Sequence, residues 1–565
     1  MDFNKTLLLD DRLNVSSSID YAVEKGFTSI AQNVVSASSL STNQMSYNVV
    51  VPSMGTIIDR AVLFRNTFVL KIEGTAPAGQ FLVNLGNTDA LGAYPINSQI
   101  ENYNVSINNQ SYTFNIAQNF QALINLQPDN RHLVRYAGCP NMPDQLFNYA
   151  DGVGANCNVL GAYENSSDGD IVPRGSFVVD YIGQDPECKL PLVPMVPSSG
   201  AAQTVYIKYT VVEPVMCPPF LFNTVANKAG MYGISNFVIN CTFNSSGVNQ
   251  RLFRTASAFA KSVTLLRFDR SEMVFNYCAP PASVPLPPRS VLPYYDMTAQ
   301  TTAIGGSVSA GASSTVVAKS LQLGIIPDSI LLFIRKINTK QTAQDADAFM
   351  TINNVNLTWD SVPGLLSGLT QHQLYQISVE NGSSQNIHQF LGRCLMSNAA
   401  TGSGRIVPTV GSFIVLNVAK DIPLANLALA PGSQSQCNLS FTVQFTNQSL
   451  VTQSDLELVI IPVNSGYMAF DGNGGLQLRT GILNSNDVLD TNAQSGVFKG
   501  DARRLVGSGW WDNLKGMIGK YAPMLAPYAK TWLGKQENPY AKLGAQVLDV
   551  AGYAKPKGRL SSRLI

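Results

Sequence analysis

Short runs of alternating apolar and polar residues recur along the whole chain. The pattern is clearest over residues 103–107 and again over 112–116, with the polar residues 108–110 between the two runs. Successive side chains of a strand point to opposite faces, so a period of two indicates strands that are buried on one face. This segment therefore predicts a β-hairpin.

Each half of the chain carries about eight such strand signals. Residues 49–72 and 321–336 share a longer pattern, in which a proline-containing break separates two strands. Helix signals are few: a short helix is predicted from Ser17, and an amphipathic one over 367–379. The remaining predicted strands lie at residues 176–182, 204–212, 236–243, 263–268, 273–277, 349–357, 412–418, 439–445 and 456–462.

A proline-rich stretch separates the two halves. Its prolines are Pro280, Pro281, Pro285, Pro287, Pro288 and Pro293. Each proline fixes φ and lacks an amide hydrogen, so the stretch can form neither a helix nor a central strand. We expect a stiff, extended strap that fixes the relative orientation of two similar β-domains.

These patterns divide the 565 residues into five parts. We predict an N-terminal arm (1–45), a first jelly roll (46–278), a Pro-rich inter-domain strap (279–297), a second jelly roll (298–490) and a basic amphipathic C-terminal tail (491–565). The predicted fold class is all-β, with two jelly-roll sandwiches in tandem (a double jelly roll) and a short helical tail.

Composition adds three expectations about loops and surfaces. Only 13% of the residues are charged, which is typical of a β-protein with large uncharged contact surfaces. Residues 128–175 form a long polar stretch, and loops of this length usually carry contacts. Residues 298–314, rich in Gly, Ser, Ala and Thr, are predicted to be flexible.

The C-terminal tail differs from the body in charge. Residues 499–565 contain 12 Lys/Arg and 4 Asp/Glu, a net charge of +8, whereas the whole chain carries +1. The basic residues singled out in the tail are Arg503, Arg504, Lys515, Lys520, Lys530 and Lys535. Helical spacing also places apolar residues on one face. The apolar residues singled out are Trp510, Trp511, Leu514, Met517, Ile518, Tyr521 and Trp532.

Three roles remain open for this tail. Its helices can pack beneath the jelly rolls or against another protein. A basic helix with tryptophans on its apolar face also suits a membrane surface. The positive charge favours contact with the phosphates of a nucleic acid, which would leave the apolar faces unexplained. In each case we expect the tryptophan faces to be covered, because exposed tryptophan faces are unfavourable in water.

No catalytic, cofactor or metal motif is present in the sequence. The three histidines, His132, His372 and His388, lie far apart, and no zinc-binding, phosphate-loop or nucleophile-elbow motif occurs. Asp345 and Asp347 could grip a cation, but a solvated loop is the stronger prediction. Spacing does not exclude a pair of carboxylates for sugar hydrolysis. We predict that the protein is not an enzyme.

Segments for export and membrane insertion are also missing from the sequence. The N-terminus is acidic and lacks the long apolar core of a secretory signal, and no run of 18 apolar residues occurs. The eight cysteines are widely spaced, which predicts free thiols made in a reducing compartment.

Six segments, in this order, resemble one known family. They are VFNYCAPP…PRSVLPYY (274–295), LQLGIIPDSILLFIRK (321–336), LSGLTQHQLYQISVENGSSQ (366–385), VGSFIVLNVAKDIPL (410–424), LAPGSQSQCNLSFTVQFTNQ (429–448) and LELVIIPVNSGYM (456–468). The series is similar to double jelly-roll major capsid proteins of Polinton-like and adintovirus-type DNA viruses. Virophage capsid proteins and the adenovirus hexon are more distant relatives. The likeness covers residues 270–485 well and 45–270 more weakly.

The resemblance implies a role as a viral major capsid protein. Three copies would form a homotrimeric capsomer of pseudo-hexagonal outline that tiles an icosahedral shell. The protein would be assembled inside the host cell and located in the virion. Its partners would be itself, neighbouring capsomers, and penton and minor capsid proteins. The tail would face the particle interior, where it packs beneath the jelly rolls or against a minor protein, or contacts an inner membrane, a host membrane or the genome. Alternatives are a minor or vertex capsid protein, or a two-domain carbohydrate-binding protein or glycosidase.

Overall fold

The structure of the protein is a computed structural model. It describes residues 26–494 apart from 86–87, 109, 127–137, 142, 148–177, 190–196, 221–229, 244–250, 282–285, 287, 361, 398–403, 425, 427 and 472–474. Within this part of the chain, strands dominate and form two sandwiches in sequence.

The first sandwich consists of two antiparallel sheets and a small ribbon. The strands of its first sheet are β1 (Ser29–Ser36), β4 (Ile57–Ile58), β5 (Leu63–Gly74), β9 (Val178–Gly183), β10 (Gln203–Pro214) and β13 (Lys261–Ala279). Those of the second are β2 (Ser39–Leu40), β3 (Gln44–Val50), β7 (Ile100–Ile107), β8 (Gln110–Asn115) and β11 (Asn236–Phe243). The ribbon pairs β6 (Asp89–Leu91) with β12 (Phe253–Thr255). Two helices, α1 (Pro95–Gln99) and α2 (Ile116–Asn125), flank β7 and β8.

The second sandwich has the same plan. Its first sheet contains β14 (Arg289–Met297), β15 (Gln300–Val308), β18 (Ser329–Lys336), β23 (Ile414–Asn417), β25 (Gln453–Asp471) and β26 (Leu476–Thr480). Its second contains β16 (Ser313–Val317), β17 (Leu321–Ile325), β19 (Thr351–Trp359), β20 (Val362–Leu365) and β24 (Gln434–Thr446). A hairpin pairs β21 (Arg393–Ser397) with β22 (Gly404–Pro408). The helices are a 3-10 turn (Asn338–Lys340), α3 (Gln371–Glu380), α4 (Ile387–Phe390) and α5 (Ser485–Gln494).

Strand order shows that the two sandwiches are versions of one jelly-roll fold. The order β1-β13-β5-β10 in the first corresponds to β14-β25-β18-β23 in the second, and β3-β11-β7-β8 corresponds to β16-β24-β19-β20. Both central strands, β13 and β25, are 19 residues long. The predicted double jelly roll is thereby confirmed for the described part of the chain.

The core of the first jelly roll lies between its two sheets. Along β10 every second side chain is buried, as the alternating sequence predicted. Aromatic rings pack across the gap: Tyr47 of β3 stacks on Phe64 of β5 at 5.3 Å between ring centroids, and Phe237 of β11 meets Phe275 of β13 at 5.7 Å. Such pairs are a major source of core stability in a sandwich.

Several element boundaries differ from the predictions. The first sheet already begins at residue 29, because β1 pairs with β13 along its full length, so 26–45 is not a separate arm. Residues 263–268 and 273–277 belong to a single strand, β13, that contains two bulges. The stretch 298–314, predicted to be flexible, contains β15, which pairs with β25. The helix predicted from Ser17 lies outside the described residues.

Other predictions agree closely with the structure. The hairpin forms from β7 and β8, and Asn108 adopts the left-handed conformation (φ 49°) that its tight turn requires. The helix predicted over 367–379 is α3. It begins with a capping box formed by Thr370 and Gln373. Seven cysteines are described and all are free. Cys157 lies outside the described residues.

Candidate functional site

A buried carboxylate, Asp347, lies at the centre of the contact between the two jelly rolls. It precedes β19 in the second jelly roll and is 5% exposed. Its Oδ1 accepts hydrogen bonds from Arg251 Nη2 at 2.9 Å and from Arg254 Nη2 at 3.4 Å. Both arginines come from the region of β12 in the first jelly roll, and each is 1% exposed. One domain thus supplies the anion and the other the two cations.

Two further side chains of the first jelly roll complete the surroundings of Asp347. Gln121 Nε2 on α2 donates to Asp347 Oδ1 at 3.1 Å, and the Asp347 amide donates to Asp144 Oδ2 at 2.9 Å. Burial alone would raise the pKa of Asp347. The charges of Arg251 and Arg254, together with the hydrogen bond from Gln121, outweigh burial and lower this pKa to about 2. Asp347 is therefore ionised at neutral and mildly acidic pH.

A second ionic centre lies beside the first, around Arg335 of β18. Its Nε donates to Glu457 Oε1 at 2.9 Å, its Nη1 to Gln121 Oε1 at 3.3 Å and its Nη2 to Gln118 Oε1 at 2.5 Å. Burial lowers the pKa of Arg335, and the charge of Glu457 opposes that shift. Gln121 joins the two centres, since it donates to Asp347 and accepts from Arg335. We call these residues the interdomain network: Gln118, Gln121, Arg251, Arg254, Arg335, Asp347 and Glu457.

Backbone groups also bond across the contact. The Thr255 amide donates to the Ala343 carbonyl oxygen at 2.9 Å, and Asn338 Nδ2 donates to the Ala117 carbonyl oxygen at 2.8 Å. These bonds fix the register of the 336–347 loop of the second jelly roll against α2 and β12 of the first.

The apolar part of the contact is built on β18. Its residues Ile330, Leu332 and Ile334 belong to the core of the second jelly roll. Leu331 and Phe333 point the other way and belong to a cluster that joins the core of the first jelly roll to residues of the second such as Phe349 and Phe413. Every residue of β18 except Lys336 is buried, which explains its nearly continuous apolar sequence. The two domains therefore share one sheet as a common wall.

This arrangement is a structural joint rather than a reactive site. A buried ion pair adds little stability over an apolar contact of the same shape, but it penalises any arrangement that leaves one charge unpaired. The interdomain network therefore favours a single orientation of the two domains. In the described part of the chain, no group of three or more His, Cys, Asp or Glu side chains is placed to hold a metal ion.

The predicted strap is shorter in the structure. Pro280 and Pro281 follow β13, and Pro288 immediately precedes β14. Pro293 lies inside β14, opposite Tyr467 of β25. Because β14 is an edge strand of its sheet, it tolerates the missing amide hydrogen. Pro285 and Pro287 lie outside the described residues.

The prediction of a solvated loop at Asp345 and Asp347 was wrong. Asp347 is buried in the interdomain network, and Asp345 Oδ2 accepts hydrogen bonds from Lys336 Nζ at 2.9 Å and from the Thr342 amide at 2.7 Å. The sequence around Asp347 is polar, and its side-chain partners lie between 93 and 226 residues away, so the sequence alone does not reveal that this residue is buried.

The remaining predicted residues give no site. His372 and His388 are exposed, and His132 lies outside the described residues. All the basic and apolar tail residues singled out above, from Arg503 to Lys535, also lie outside the described residues. Among the described helices none has the length and apolar character needed to cross a membrane.

Sequence reasoning missed the arginines and glutamines of the interdomain network. One signal was available: Arg335 follows five apolar residues in SILLFIRK, and a charge at the end of a fully buried strand needs a partner. Nothing local in the sequence marks Arg251, Gln118 or Gln121, because their partners lie between 96 and 226 residues away along the chain.

Comparisons with known proteins cover both halves of the chain. The family model described as "Sputnik virophage major capsid protein 1st domain" matches residues 1–278, and that described as "Major capsid protein V20 C-terminal domain" matches 296–466. The chain is also 24% identical to "Putative capsid protein V20" of Sputnik virophage over 579 aligned positions, covering 98% of this chain and 94% of the relative.

Solved structures support the same fold. The Sputnik virophage structure determined by cryo-EM matches with a TM-score of 0.76 at 23% identity, covering 89% of this chain and 98% of the other. The crystal structure of the mavirus major capsid protein matches with a TM-score of 0.70 at 14% identity, covering 86% and 98%. Virophage proteins, expected to be distant relatives, thus match across both jelly rolls. This places the protein in the virion capsid, and the chain belongs to the double jelly-roll major capsid protein family.

Proposed function

We propose that this major capsid protein forms a homotrimer, and that the trimer is the pseudo-hexagonal capsomer that tiles an icosahedral shell. Three copies of a two-domain unit present six similar jelly rolls around a threefold axis. The observation that carries the proposal is the buried interdomain network. A sixfold outline is maintained only if the two jelly rolls within each copy keep a fixed orientation.

The surface of the chain also suits assembly. Large apolar side chains are exposed on edge strands and hairpins, for example Ile30 of β1 (64%) and Leu395 of β21 (74%). Leu395 lies directly opposite Ile406 of β22, which is 51% exposed. Copies that associate permanently bury an interface on the order of 2,000–5,000 Å², and such interfaces are more apolar than transient ones.

Sedimentation of the purified protein tests the proposal. We expect one species at micromolar concentration with three times the 60.9 kDa mass of the chain. Negative-stain images of that species should show six lobes. A stable monomer at this concentration would contradict the trimer, whereas a trimer with three lobes would contradict only the pseudo-hexagonal outline.

The alternative structural role is that of a minor or vertex capsid protein. Copy number decides between the two roles: a shell protein outnumbers every other virion protein, and a vertex protein is present in few copies. Quantitative mass spectrometry of purified particles gives this ratio. We expect this chain to be the most abundant protein of the particle.

We further propose that the chain has no enzymatic activity. His372 and His388 are exposed at helix surfaces, so His372→Ala and His388→Ala should leave folding and assembly unchanged. A carbohydrate-binding protein or glycosidase would instead bind or cleave glycans as a purified chain. Glycan cleavage that one of these substitutions abolishes, with the fold intact, would contradict the proposal.

For the C-terminal tail we propose a place on the inner side of the shell, packed beneath the jelly rolls or against a minor capsid protein. Support comes from its sequence, since residues 510–521 place tryptophans on one apolar face and lysines elsewhere. Penton and minor capsid proteins are the other partners that we propose.

Limited proteolysis distinguishes the sides of the shell. Trypsin should remove the tail from free trimers and leave it intact in closed particles.

Two binding assays compare full-length trimers with trimers truncated after Gln494. One is flotation with vesicles of anionic lipid, and the other is a gel-shift assay with duplex DNA. Binding of only the full-length trimer to vesicles would favour a membrane role, and binding to DNA would favour genome contact.

A further inference from the structure

A polar cleft lies between the two jelly rolls next to the interdomain network. Its volume is about 90 Å³. The first jelly roll lines it with residues that include Gln99, Ala117 and Arg251, and the second contributes Asn338 and Glu457. The cleft is therefore a gap in the joint itself.

Three polar atoms of residues that line the cleft have no hydrogen-bond partner in the protein: Arg251 Nε, Gln99 Oε1 and Asn338 Oδ1. Their residues are only 1%, 3% and 8% exposed. The assignment of the two amide oxygens is supported, because Gln99 Nε2 donates to Ser98 Oγ at 3.3 Å and Asn338 Nδ2 donates to the Ala117 carbonyl. Buried polar atoms are rarely left unpaired, because each unpaired atom destabilises the fold.

The charges around the cleft restrict what can bind these atoms. Arg251 and Arg254 share Asp347, the carboxylate of Asp144 lies beside that group, and Arg335 is paired with Glu457. The three buried arginines are thus balanced by three buried carboxylates. An additional anion or cation would therefore bring an unbalanced charge into a region that is already neutral, which is strongly unfavourable away from solvent.

The unpaired atoms match the chemistry of water. One N–H donor and two carbonyl acceptors are the complement of a water molecule, which accepts from the first and donates to the other two. Buried waters typically make about three hydrogen bonds of this kind, and about 15 Å³ of accessible space suffices for one. The cleft thus has room for a small cluster.

We propose that this cleft is a hydration site in which a cluster of ordered water molecules bridges Arg251 and Gln99 of the first jelly roll to Asn338 of the second. The waters are a third component of the joint, beside the ionic network and the shared wall of β18. The site exists within one chain and does not depend on the trimer.

A high-resolution structure of the intact capsid tests the site directly. Density peaks are expected within about 3 Å of Arg251 Nε, Gln99 Oε1 and Asn338 Oδ1. Absence of such peaks, in a map that resolves ordered water elsewhere in the interior, would overturn the proposal.

A filling substitution gives an independent test by the sign of its effect. Ala117→Leu places an apolar group in the cleft. If waters bridge the polar atoms, displacing the waters leaves these atoms without hydrogen-bond partners. The melting temperature should then fall by about 2–5 °C. An apolar cavity without water would gain stability when filled. An unchanged or higher melting temperature would therefore overturn the proposal.

The control for a steric clash is the same substitution in a Gln99→Met background. Methionine has a similar shape but no carbonyl acceptor, so one buried atom fewer loses its hydrogen-bond partner. The fall in melting temperature caused by Ala117→Leu should therefore be smaller. An equal loss in both backgrounds would assign the effect to a clash and would count against the water cluster. Each variant should still sediment as a trimer, because the cleft lies within one chain. Loss of the trimer would therefore concern the proposed function and not the water cluster.

Discussion

At the scale of single residues, two buried carboxylates are stabilised in different ways. Asp347 is paired with two arginines of the other domain. Glu213 of β10 is fully buried and accepts only from N–H groups: the Ile96 amide at 2.8 Å, the Asn97 amide at 3.0 Å and Asn97 Nδ2 at 2.8 Å. Their pKa values move in opposite directions as a result, and each shift leads to a test.

Asp347→Asn should destabilise the protein by about 3–5 kcal/mol, because it leaves two buried arginines without a full counter-charge. The free energy of unfolding in urea measures the effect. We expect the loss to be accompanied by poorer trimer formation, since the orientation of the domains is no longer fixed.

Asp269→Asn is the matched control. Asp269 also binds one arginine and one lysine, with Arg267 Nε and Lys208 Nζ each at 2.7 Å, but its side chain is 24% exposed on the outer face of the first sheet. Ion pairs near the surface contribute about 0–1 kcal/mol, so this loss should be small. Equal losses for both variants would contradict a special role of the interdomain network.

Glu213 predicts a pH dependence of stability. Complete burial raises the pKa of Glu213 to about 7, although its hydrogen bonds oppose the shift. The folded pKa exceeds the unfolded value, so this contribution to stability is full below the unfolded pKa and is lost as pH rises through about 7. Urea unfolding should show a decline of roughly 3 kcal/mol between pH 5 and pH 8 from this group.

Glu213→Gln should remove that part of the decline, even though the variant is less stable overall. The comparison of slopes is meaningful because Asp347, with a pKa of about 2, stays ionised across the whole window. A slope that is unchanged in Glu213→Gln would show that Glu213 does not bind the proton.

At the scale of elements, local signals were sufficient for α3. Thr370 Oγ1 accepts from the Gln373 amide, and Gln373 Oε1 accepts from the Thr370 amide, which closes a capping box. Thr370→Ala should cost about 1 kcal/mol of unfolding free energy, because it leaves an amide at the first turn unpaired. Thermal unfolding followed by circular dichroism measures this loss.

Gln376→Ala on the same helix serves as the comparison. Gln376 is exposed and bonds only to Glu380 one turn later, at 3.1 Å. Pairs of this kind contribute about 0.2–0.5 kcal/mol, so the variant should be nearly as stable as the parent protein. A loss as large as that of Thr370→Ala would indicate that any change in α3, rather than the cap, is responsible.

Local signals failed for β15. Its sequence QTTAIGGSV contains few apolar residues and two adjacent glycines, a composition typical of flexible segments. The strand forms because β25 provides a hydrogen-bonding edge more than 140 residues away along the chain. Gly306 (φ 78°) lies in the irregularity between Ile304 and Ser307, where only glycine adopts this conformation easily.

At the scale of the whole molecule, two features could hold the jelly rolls in place: the proline strap and the buried joint. The joint contains ion pairs, backbone hydrogen bonds and the shared wall of β18, whereas residues 289–297 of the predicted strap belong to the second jelly roll as β14. We therefore expect the joint to dominate.

Replacing Pro285, Pro287 and Pro288 with glycine should test this expectation. Each change increases the entropy of the unfolded chain and should cost about 0.4–1 kcal/mol, with trimers still formed. Sedimentation and thermal unfolding give both quantities. Folded monomers in the triple variant would show that the strap, rather than the joint, orients the domains.

The sequence by itself determined the strands, the turn of the β7–β8 hairpin, the capped helix α3 and the division into two similar halves. Each of these depends on neighbours within a few residues, such as an alternating period, a turn residue or a cap. The order of motifs was also sufficient to indicate the family, because matched sequences preserve the order of their elements.

Only the tertiary structure decided how the halves meet. β18 is apolar on both faces, and its sequence alone does not reveal that Leu331 and Phe333 belong to a cluster shared by both domains while Ile330 and Leu332 face the core of their own domain. Asp347 reads as a loop residue until folding brings Arg251 to within 2.9 Å of it. The energy of such contacts depends on distance and burial, which are properties of the folded chain and are not encoded by local sequence.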